Sequence, residues 1–227
     1  MGRKLLLSDA DHDRVSAAVA AAEMHTSGEI VTIVAGRSDG YADVALAWSA
    51  IVAFTALTVL SLFPGFYLGL IDVALGHWAH EWTPGAVFAV AVGVATVKFI
   101  AMLLLQLWPP LKFWLIPPHI KRLRVRDRAI AYFRTGIERR TSGRTGILIY
   151  LSLDEHGAEI VADKAIAAKV RPEEWGEAMA AMLVELRAGR LAEGMVAAVE
   201  KVGAVLAAHF PRAEDDVNEL PDRLIEV

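Results

Sequence analysis

Acidic side chains next to two apolar segments are the residues of this sequence best suited to chemistry. The segment Glu29 to Ala35 is apolar and rich in β-branched residues, the segment Gly146 to Leu153 is apolar, and both predict strands. If the strands are parallel, the residues after them meet at the carboxyl edge of one sheet, where open α/β folds bind ligands. The start of an antiparallel N-terminal helix joins the same edge. The side chains predicted there are Asp9, Asp11, Arg37, Ser38, Asp39, Asp154, Glu155 and His156.

Two interpretations of this edge stay open. Carboxylate oxygens are the ligands of hard cations and predict a Ca²⁺ or Mg²⁺ site, or acid–base groups for the hydrolysis of a phosphate ester. Alternatively, the side chains are polar only because loops and caps are polar: Asp9 then complements the helix dipole and Asp154 forms a turn. No residue is assigned a catalytic role. The chain has no cysteine, which excludes thiol nucleophiles and zinc–thiolate sites.

The hydrophobicity of the chain is concentrated in its centre. Mean hydropathy is +0.41, yet between residues 44 and 108 only Asp72, Glu81 and Lys98 are charged. The runs 44–63 and 85–108 are each long enough to cross a hydrocarbon core of about 30 Å as a helix. They predict a transmembrane helical hairpin that occupies residues 44–116 with its flanks. A buried hairpin in a soluble core is the alternative, and two such runs in one chain argue against it.

Basic residues predict the orientation of this hairpin. Residues 1–43 are polar, so we expect no signal peptide, and the loop between the two runs has no Lys or Arg. Residues 109–145 are rich in Lys and Arg, which places both termini in the cytoplasm of a multi-pass protein of the inner membrane. The same cluster predicts contact with anionic lipid headgroups, although a purely orienting role remains the alternative. The predicted headgroup residues are Lys121, Arg122, Arg124, Arg126 and Arg128.

The polar segments on either side of the hairpin predict one divided α/β domain, formed by residues 1–43 and 117–212. Helices are expected at 8–25, 120–140, 172–189 and 191–209, with a short third strand at 158–163. Thr26-Ser-Gly and Thr141-Ser-Gly both lead from a helix into an apolar strand. The first strand, the second helix and the second strand then form a crossover with parallel strands, into which the hairpin is inserted. The acidic tail, residues 213–227, is expected to be irregular.

The order of these elements resembles the TPM-domain family. The resemblance rests on the strand sequences Gly-Glu-Ile-Val-Thr-Ile, Thr-Gly-Ile-Leu-Ile-Tyr-Leu-Ser and Ala-Glu-Ile-Val-Ala-Asp, followed by a helix that contains Trp175. It implies an α/β fold, a three-layer α/β/α sandwich with the transmembrane hairpin inserted. Asp9 or Asp11 matches an acidic residue near the start of the family's domain. Asp163 matches the end of the family's hairpin strand and joins the candidate metal ligands.

What the resemblance implies for function divides in two, because some members are described as weak phosphatases and others as accessory factors of membrane complexes. The family's arginine pair is replaced by His156-Gly157, and its later turn by Lys164-Ala165. These departures favour an accessory or scaffold role for an integral membrane protein that binds another membrane protein or a second copy of itself. A metal-assisted phosphatase at a membrane-facing carboxyl edge is the alternative.

The sequence also bears on two further classes of function, transport and nucleic-acid binding. Lys98 in the second run raises the hypothesis of a small oligomeric transporter, but snorkelling, or pairing within a dimer, is favoured. Nucleic-acid binding is disfavoured, because the basic stretch adjoins a span and the segment from residue 146 onward is strongly acidic.

Overall fold

The computed structural model describes residues 7–76, 82–137, 145–213 and 220–227, and the chain divides into two compact units. The first unit combines Met1–Asp39 with Pro118–Val227, and the second is Gly40–Pro117. The helices are α1 (Asp9–Glu23), α2 (Ala42–Leu62), α3 (Pro64–Leu75), α4 (Pro84–Leu105), α5 (Pro109–Leu115), α6 (Pro118–Gly136), α7 (Lys164–Ala167), α8 (Pro172–Arg187) and α9 (Leu191–His209).

A mixed sheet lies at the centre of the first unit. Its described strands are β1 (Glu29–Ala35), β2 (Gly146–Ser152), β3 (Gly157–Ala162) and β4 (Ile225–Glu226), in the order β3-β2-β1-β4. β1 is parallel to β2, and their register sets Glu29 opposite Gly146 and Ala35 opposite Ser152. The predicted mixed α/β fold and its parallel central pair are therefore confirmed. β3 runs antiparallel to β2 and forms a hairpin with it.

The side chains of β1 alternate between two hydrophobic clusters. Ile30 and Val34 belong to a cluster that includes residues of α1, α8 and α9. Val31 and Ile33 belong to another cluster, with Val125 and other residues of α6. A strand whose two faces are both buried must be apolar on both, which explains the nearly continuous apolar sequence of β1.

The helix α1 is fixed at its start by a cap and near its end by close packing. The Ser8 side chain and the Asp11 side chain form a capping box at the N-terminus. Near the other end α1 crosses α9, where a Cβ atom built on Gly203 would lie 2.6 Å from the Cβ of Ala22. Only glycine at this position allows so close an approach of the two helices.

The C-terminal residues differ from the predicted irregular tail. Residues 214–219 lie outside the described residues, but Ile225 and Glu226 form β4 and pair with Ile33 and Val34 of β1. The prediction is wrong for these residues because the strand depends on distant contacts rather than on a local pattern. Leu224 is buried in the same cluster as α1 and α9.

In the second unit, α2 packs along α4. Gln106 at the end of α4 donates from Nε2 to the Ala45 carbonyl at 3.1 Å, and to Ser49 Oγ at 3.4 Å. The Trp48 indole donates to the Leu115 carbonyl at 3.1 Å. Polar hydrogen bonds therefore join the two ends of this unit that adjoin the rest of the chain.

Length and composition allow α2 and α4 to cross a membrane, with 21 and 22 residues respectively. Their outer faces expose large apolar side chains, including Phe54 at 69% and Phe88 at 73%. The most apolar stretch of α4 has none of its residues buried. The predicted runs 44–63 and 85–108 thus correspond to exposed helices in the described part of the chain, not to a buried core hairpin.

Candidate functional site

The carboxyl ends of β1 and β2 lie side by side, as the sequence predicts. Leu153 N donates to the Ala35 carbonyl at 3.0 Å, and Asp154 N donates to the Gly36 carbonyl at 3.0 Å. These bonds extend the strand pairing beyond the last residues of the sheet. The loop after β1 and the turn after β2 therefore share one edge.

A chain of buried hydroxyl groups ends on a carboxylate at this edge. Ser38 Oγ donates to Ser152 Oγ at 2.8 Å, and Ser152 Oγ donates to Glu155 Oε2. Tyr150 Oη lies 3.0 Å from Ser38 Oγ and is its donor, since the Ser38 proton is already used. The other Glu155 oxygen, Oε1, accepts from Ser38 N at 3.0 Å. The four residues are at most 7% exposed.

This hydroxyl network is closed to solvent and to substrates. Each serine hydroxyl is already a donor inside the protein, and burial raises the pKa of the Tyr150 phenol, which keeps it protonated. A nucleophile needs access and a free lone pair directed at a substrate. The network therefore ties the loop after β1 to the turn after β2.

The aspartates at the same edge are paired with arginines. Asp154 Oδ2 lies 2.9 Å from Arg37 Nε, and Asp39 Oδ2 lies 3.0 Å from Arg124 Nε of α6. Arg128 Nε, one turn further along α6, donates to the Ser38 carbonyl at 2.8 Å. Half-exposed pairs of this kind contribute about 0.2–1 kcal/mol each, so their main effect here is to neutralise the aspartates.

The acidic residues of α1 serve its N-terminus. Asp11 Oδ2 accepts from Ser8 Oγ at 2.7 Å, and the hydrogen bonds from Ser8 lower the pKa of the Asp11 carboxyl. Asp9 is an exposed first-turn residue. His156 is exposed in the turn between β2 and β3, at φ 51° in the left-handed region.

Asp163 lies at the opposite edge of the sheet. Because β3 runs antiparallel to β2, the residue after β3 adjoins the start of β2, and Asp163 N donates to the Gly146 carbonyl at 2.9 Å. Its Oδ1 accepts from Lys164 N at 2.7 Å and caps α7. Oδ2 is buried and has no hydrogen-bond partner among the described residues.

The predicted cation site does not assemble in the structure. The six candidates are Asp9, Asp11, Asp39, Asp154, Glu155 and Asp163. Within residues 7–76, 82–137, 145–213 and 220–227, no three His, Asp or Glu side chains form a group that could hold a metal ion. There are two physical reasons. Most of these carboxylates already cap a helix, pair with an arginine or accept from a hydroxyl group. In addition, β3 runs antiparallel to β2 and so places Asp163 at the other edge of the sheet. The geometry does not support the Ca²⁺ or Mg²⁺ prediction.

The predicted headgroup residues of α6 divide into two groups. Arg124 and Arg128 make contacts at the sheet edge, although Arg128 is also exposed, and Arg122 and Arg126 are exposed. Arg126 is close enough to Glu159 to oppose the burial that raises the pKa of that carboxyl. Lys121 is half-buried, and the basic residues at 139, 140 and 144 lie outside the described part of the chain.

Sequence reasoning missed Tyr150 and Ser152 as members of the edge. A signal was present, because both place polar atoms at alternate positions of an apolar strand and so point to the same face. It also missed an acidic group at the amino edge, formed by Glu23 of α1, Glu29 of β1 and Asp222. No local pattern joins these three residues, which are far apart in sequence.

The comparison with protein families gives a match in the second half of the chain. A model of the TPM domain matches residues 116–205, which extend from just before α6 into α9. Residues 116–205 are therefore similar to the TPM domain. The resemblance predicted from the strand sequences is confirmed. The matched residues include β2 and β3, whereas β1, which precedes the inserted unit, belongs to the same sheet.

A solved structure is similar over the whole chain. It is the NMR structure of the BA42 protein from the psychrophilic bacterium Bizionia argentinensis sp. nov., with a TM-score of 0.57 and 18% sequence identity. The alignment covers 100% of this chain and 99% of that one. At this identity the similarity supports the fold alone. No curated protein matches the sequence.

Proposed function

We propose that the protein is an integral membrane protein whose TPM domain lies in the cytoplasm and acts as an accessory or scaffold factor of a membrane complex. The observation that carries the proposal is the exposed apolar surface of α2 and α4. Soluble monomers rarely expose contiguous apolar patches beyond a few hundred square ångströms. A bilayer is the environment in which Phe54, Phe88 and their neighbours are stable while exposed.

The internal contacts of the second unit support the same assignment. Ser49 and Gln106 are its buried polar residues, and each has hydrogen-bond partners inside the unit. In hydrocarbon an unsatisfied polar group costs several kcal/mol, so hydrogen bonding between helices is the arrangement expected of a pair of spans.

The charge distribution supports a cytoplasmic TPM domain. The loop between α3 and α4 has no Lys or Arg, while α6 alone carries Lys121, Arg122, Arg124, Arg126, Arg128 and Arg134. α6 begins 13 residues after α4, the second candidate span, ends. Basic residues this close to a span favour the cytoplasmic side. Arg122 and Arg126, which are exposed, are the side chains we assign to anionic headgroups.

The paired state of the carboxyl edge favours an accessory role over catalysis. Asp39 and Asp154 are neutralised by arginines, and Glu155 is buried under hydroxyl groups. A metal-assisted phosphatase needs oxygen ligands that are free to bind a cation and a phosphate. A scaffold needs only a folded domain and a surface.

The topology is tested with single cysteines in the full chain, which has none of its own. Ala79→Cys lies in the loop between the spans, and Ala213→Cys lies near the C-terminus. In intact cells a membrane-impermeant maleimide labels Ala79→Cys alone, and after permeabilisation it labels both. Labelling of Ala213→Cys in intact cells would contradict a cytoplasmic TPM domain.

The role is tested by purifying the tagged full chain in mild detergent. A stoichiometric membrane-protein partner, or a second copy of the chain, is expected. Recovery as a monomer with no partner contradicts the scaffold proposal.

The phosphatase alternative is tested with p-nitrophenyl phosphate in the presence of Mg²⁺ or Ca²⁺. We expect no metal-dependent turnover from the full chain. Turnover that is lost in both Asp11→Asn and Asp154→Asn, but kept in Asp13→Asn, would establish the alternative.

A further inference from the structure

The last residues of the chain form a strap across the edge of β1. We call residues 220–227 the C-terminal strap. Leu220 and Leu224 are buried, at 6% and 4% exposure. Val227 N donates to the Val34 carbonyl at 3.0 Å, and Gly36 N donates to the Val227 carbonyl at 3.1 Å. The strap therefore covers the edge of β1, and only a few backbone hydrogen bonds join the two.

Three carboxyl groups from three elements meet where the strap begins. Glu29 Oε2, at the start of β1, accepts from Leu220 N of the strap at 3.2 Å. Glu23 Oε1, at the end of α1, accepts from Ile30 N at 2.7 Å. The Glu23 carboxyl also shares a hydrogen bond with the side chain of Asp222 in the strap. The strap is thus joined to α1 and β1 through acidic side chains.

A cavity of about 450 Å³ lies beside this cluster. Its walls are formed largely by small residues of α1, such as Ala17 and Ala20, with Glu23, Glu29, Asp222 and Arg212 around them. The charged groups that face Glu23 are therefore Glu29 from β1, Asp222 from the strap and Arg212 from the segment after α9. Two like charges against one guanidinium leave the Glu23 carboxylate disfavoured.

A hydrogen bond between two carboxyl groups requires a proton on one of them. Burial raises the pKa of Glu23 to about 8, and the charges of Glu29 and Asp222 act in the same direction. Near neutral pH the proton thus resides in the pair. When it passes to solvent, two carboxylates are left facing each other next to Glu29.

We propose that the proton shared by Glu23 and Asp222 is a latch that holds the C-terminal strap on β1, and that its loss releases residues 220–227. The device is separate from the proposed membrane function. Release bares the Val34 carbonyl and Gly36 N on the edge of β1, so the latch makes the exposure of this edge depend on pH.

The sign follows from proton linkage. In the released state Glu23 is solvated and its pKa returns toward the ordinary value of 4.5. The closed state then binds more protons than the released state between about 4.5 and 8. Over that interval the ratio of released to closed strap rises by up to about tenfold for each pH unit, and above pH 8 it levels off.

The test attaches a nitroxide spin label to Arg223→Cys in the full chain, in lipid nanodiscs. Residue 223 is exposed within the strap, and the chain has no other cysteine. The label reports mobility by electron paramagnetic resonance, and its signal does not itself titrate between pH 6 and 9. The ratio of mobile to immobile label is expected to rise by up to about a hundredfold over this range.

Glu23→Gln is the decisive variant, because Gln keeps the oxygen that accepts from Ile30 N and can donate to Asp222. In this background the label is expected to stay immobile from pH 6 to 9. Asp222→Asn, which removes the facing charge, should shrink the response. Asp13→Asn, an exposed carboxyl on the same helix, is the control and should respond like the parent.

Two results would overturn the latch. One is a label whose mobility does not change between pH 6 and 9 in the parent chain. The other is a pH response that survives in Glu23→Gln.

Discussion

At the scale of single residues, the carboxyl edge illustrates how a cluster with the composition of an active site can be structural. Glu155 accepts from the backbone of Ser38 with one oxygen and from the hydroxyl of Ser152 with the other. A buried polar network of this kind is stable only while each member keeps its partners. Its removal should therefore affect folding rather than chemistry.

We predict that Glu155→Ala lowers the stability of the first unit. The substitution leaves Ser38 N and Ser152 Oγ buried without their acceptor, and each unsatisfied donor costs about 1–3 kcal/mol. The midpoint of thermal unfolding should fall by several degrees. Glu177→Ala, an exposed site on α8, is the matched control. Equal unfolding midpoints for Glu155→Ala and Glu177→Ala would contradict a structural role for the network.

At the scale of elements, the sequence predicted those whose signal is local. β1 is recognised because seven consecutive residues suit a strand buried on both faces, and α9 because its apolar stripe runs from Leu191 to His209 without a break. The parallel order of β1 and β2 followed from the helix between them. These features depend on residues close together in the chain, or on a topological rule with few exceptions.

The features that sequence reasoning missed depend on contacts between distant residues. β4 has two residues and no pattern, and it exists because Leu220 and Leu224 are buried beside it. Asp163 was placed among the candidate ligands by the resemblance, although β3, antiparallel to β2, carries it to the opposite edge of the sheet. The hydroxyl chain from Tyr150 to Glu155 depends on side-chain directions in three dimensions.

The crossing of α1 and α9 yields a prediction for a matched pair of glycines. Gly203→Ala places a methyl group 2.6 Å from the Ala22 Cβ, so the helices must separate, at a cost of about 1–3 kcal/mol. Gly176→Ala in α8 meets nothing within 4 Å and gains helix propensity, which stabilises by up to about 1 kcal/mol. Thermal midpoints should move in opposite directions. A Gly203→Ala midpoint at or above that of the parent would contradict the close crossing.

The two groups of arginines on α6 predict different effects on lipid contact. Replacing Arg122 and Arg126 together by Gln should lower cross-linking of the full chain to a photoreactive anionic lipid in nanodiscs. Each basic residue near an anionic surface contributes about 1 kcal/mol, so the two together correspond to a loss of up to about thirtyfold in affinity for the anionic lipid. Arg134→Gln, exposed near the other end of the same helix, is the control. Unchanged cross-linking in the double variant would leave these arginines an orienting role only.

At the scale of the whole molecule, the near-neutral composition hides an ordered separation of charge. The net charge of −4 combines acidic segments at both ends with a strongly basic segment directly after the apolar one. Because membrane orientation depends on the charge close to each span, the order of the charged segments along the chain is informative and the net charge is not. Position matters in the same way for the acidic residues around Glu23, which are far apart in the sequence and close together in the structure.

The stability of the first unit should fall as pH rises from about 5 to 8 and then level off. The pKa of Glu23 is about 8 in the folded chain, above its ordinary value of 4.5, so unfolding releases a proton throughout this interval. Its contribution is complete below about pH 4.5 and is lost as pH rises through 8. Thermal unfolding across this range should show a steeper decline in the parent than in Glu23→Gln. Parallel curves of stability against pH for the parent and Glu23→Gln would mean that the proton released on unfolding comes from another group.

The insertion of Gly40–Pro117 between β1 and β2 also sets an order of events during synthesis. β1, whose seven residues are all buried in the finished sheet, leaves the ribosome more than a hundred residues before its partner strand is complete. At about 5–20 residues per second, that is a delay of roughly 6 to 23 s. During this delay the apolar strand has no neighbouring strand, so the sheet forms only after the inserted helices α2 and α4 have been synthesised.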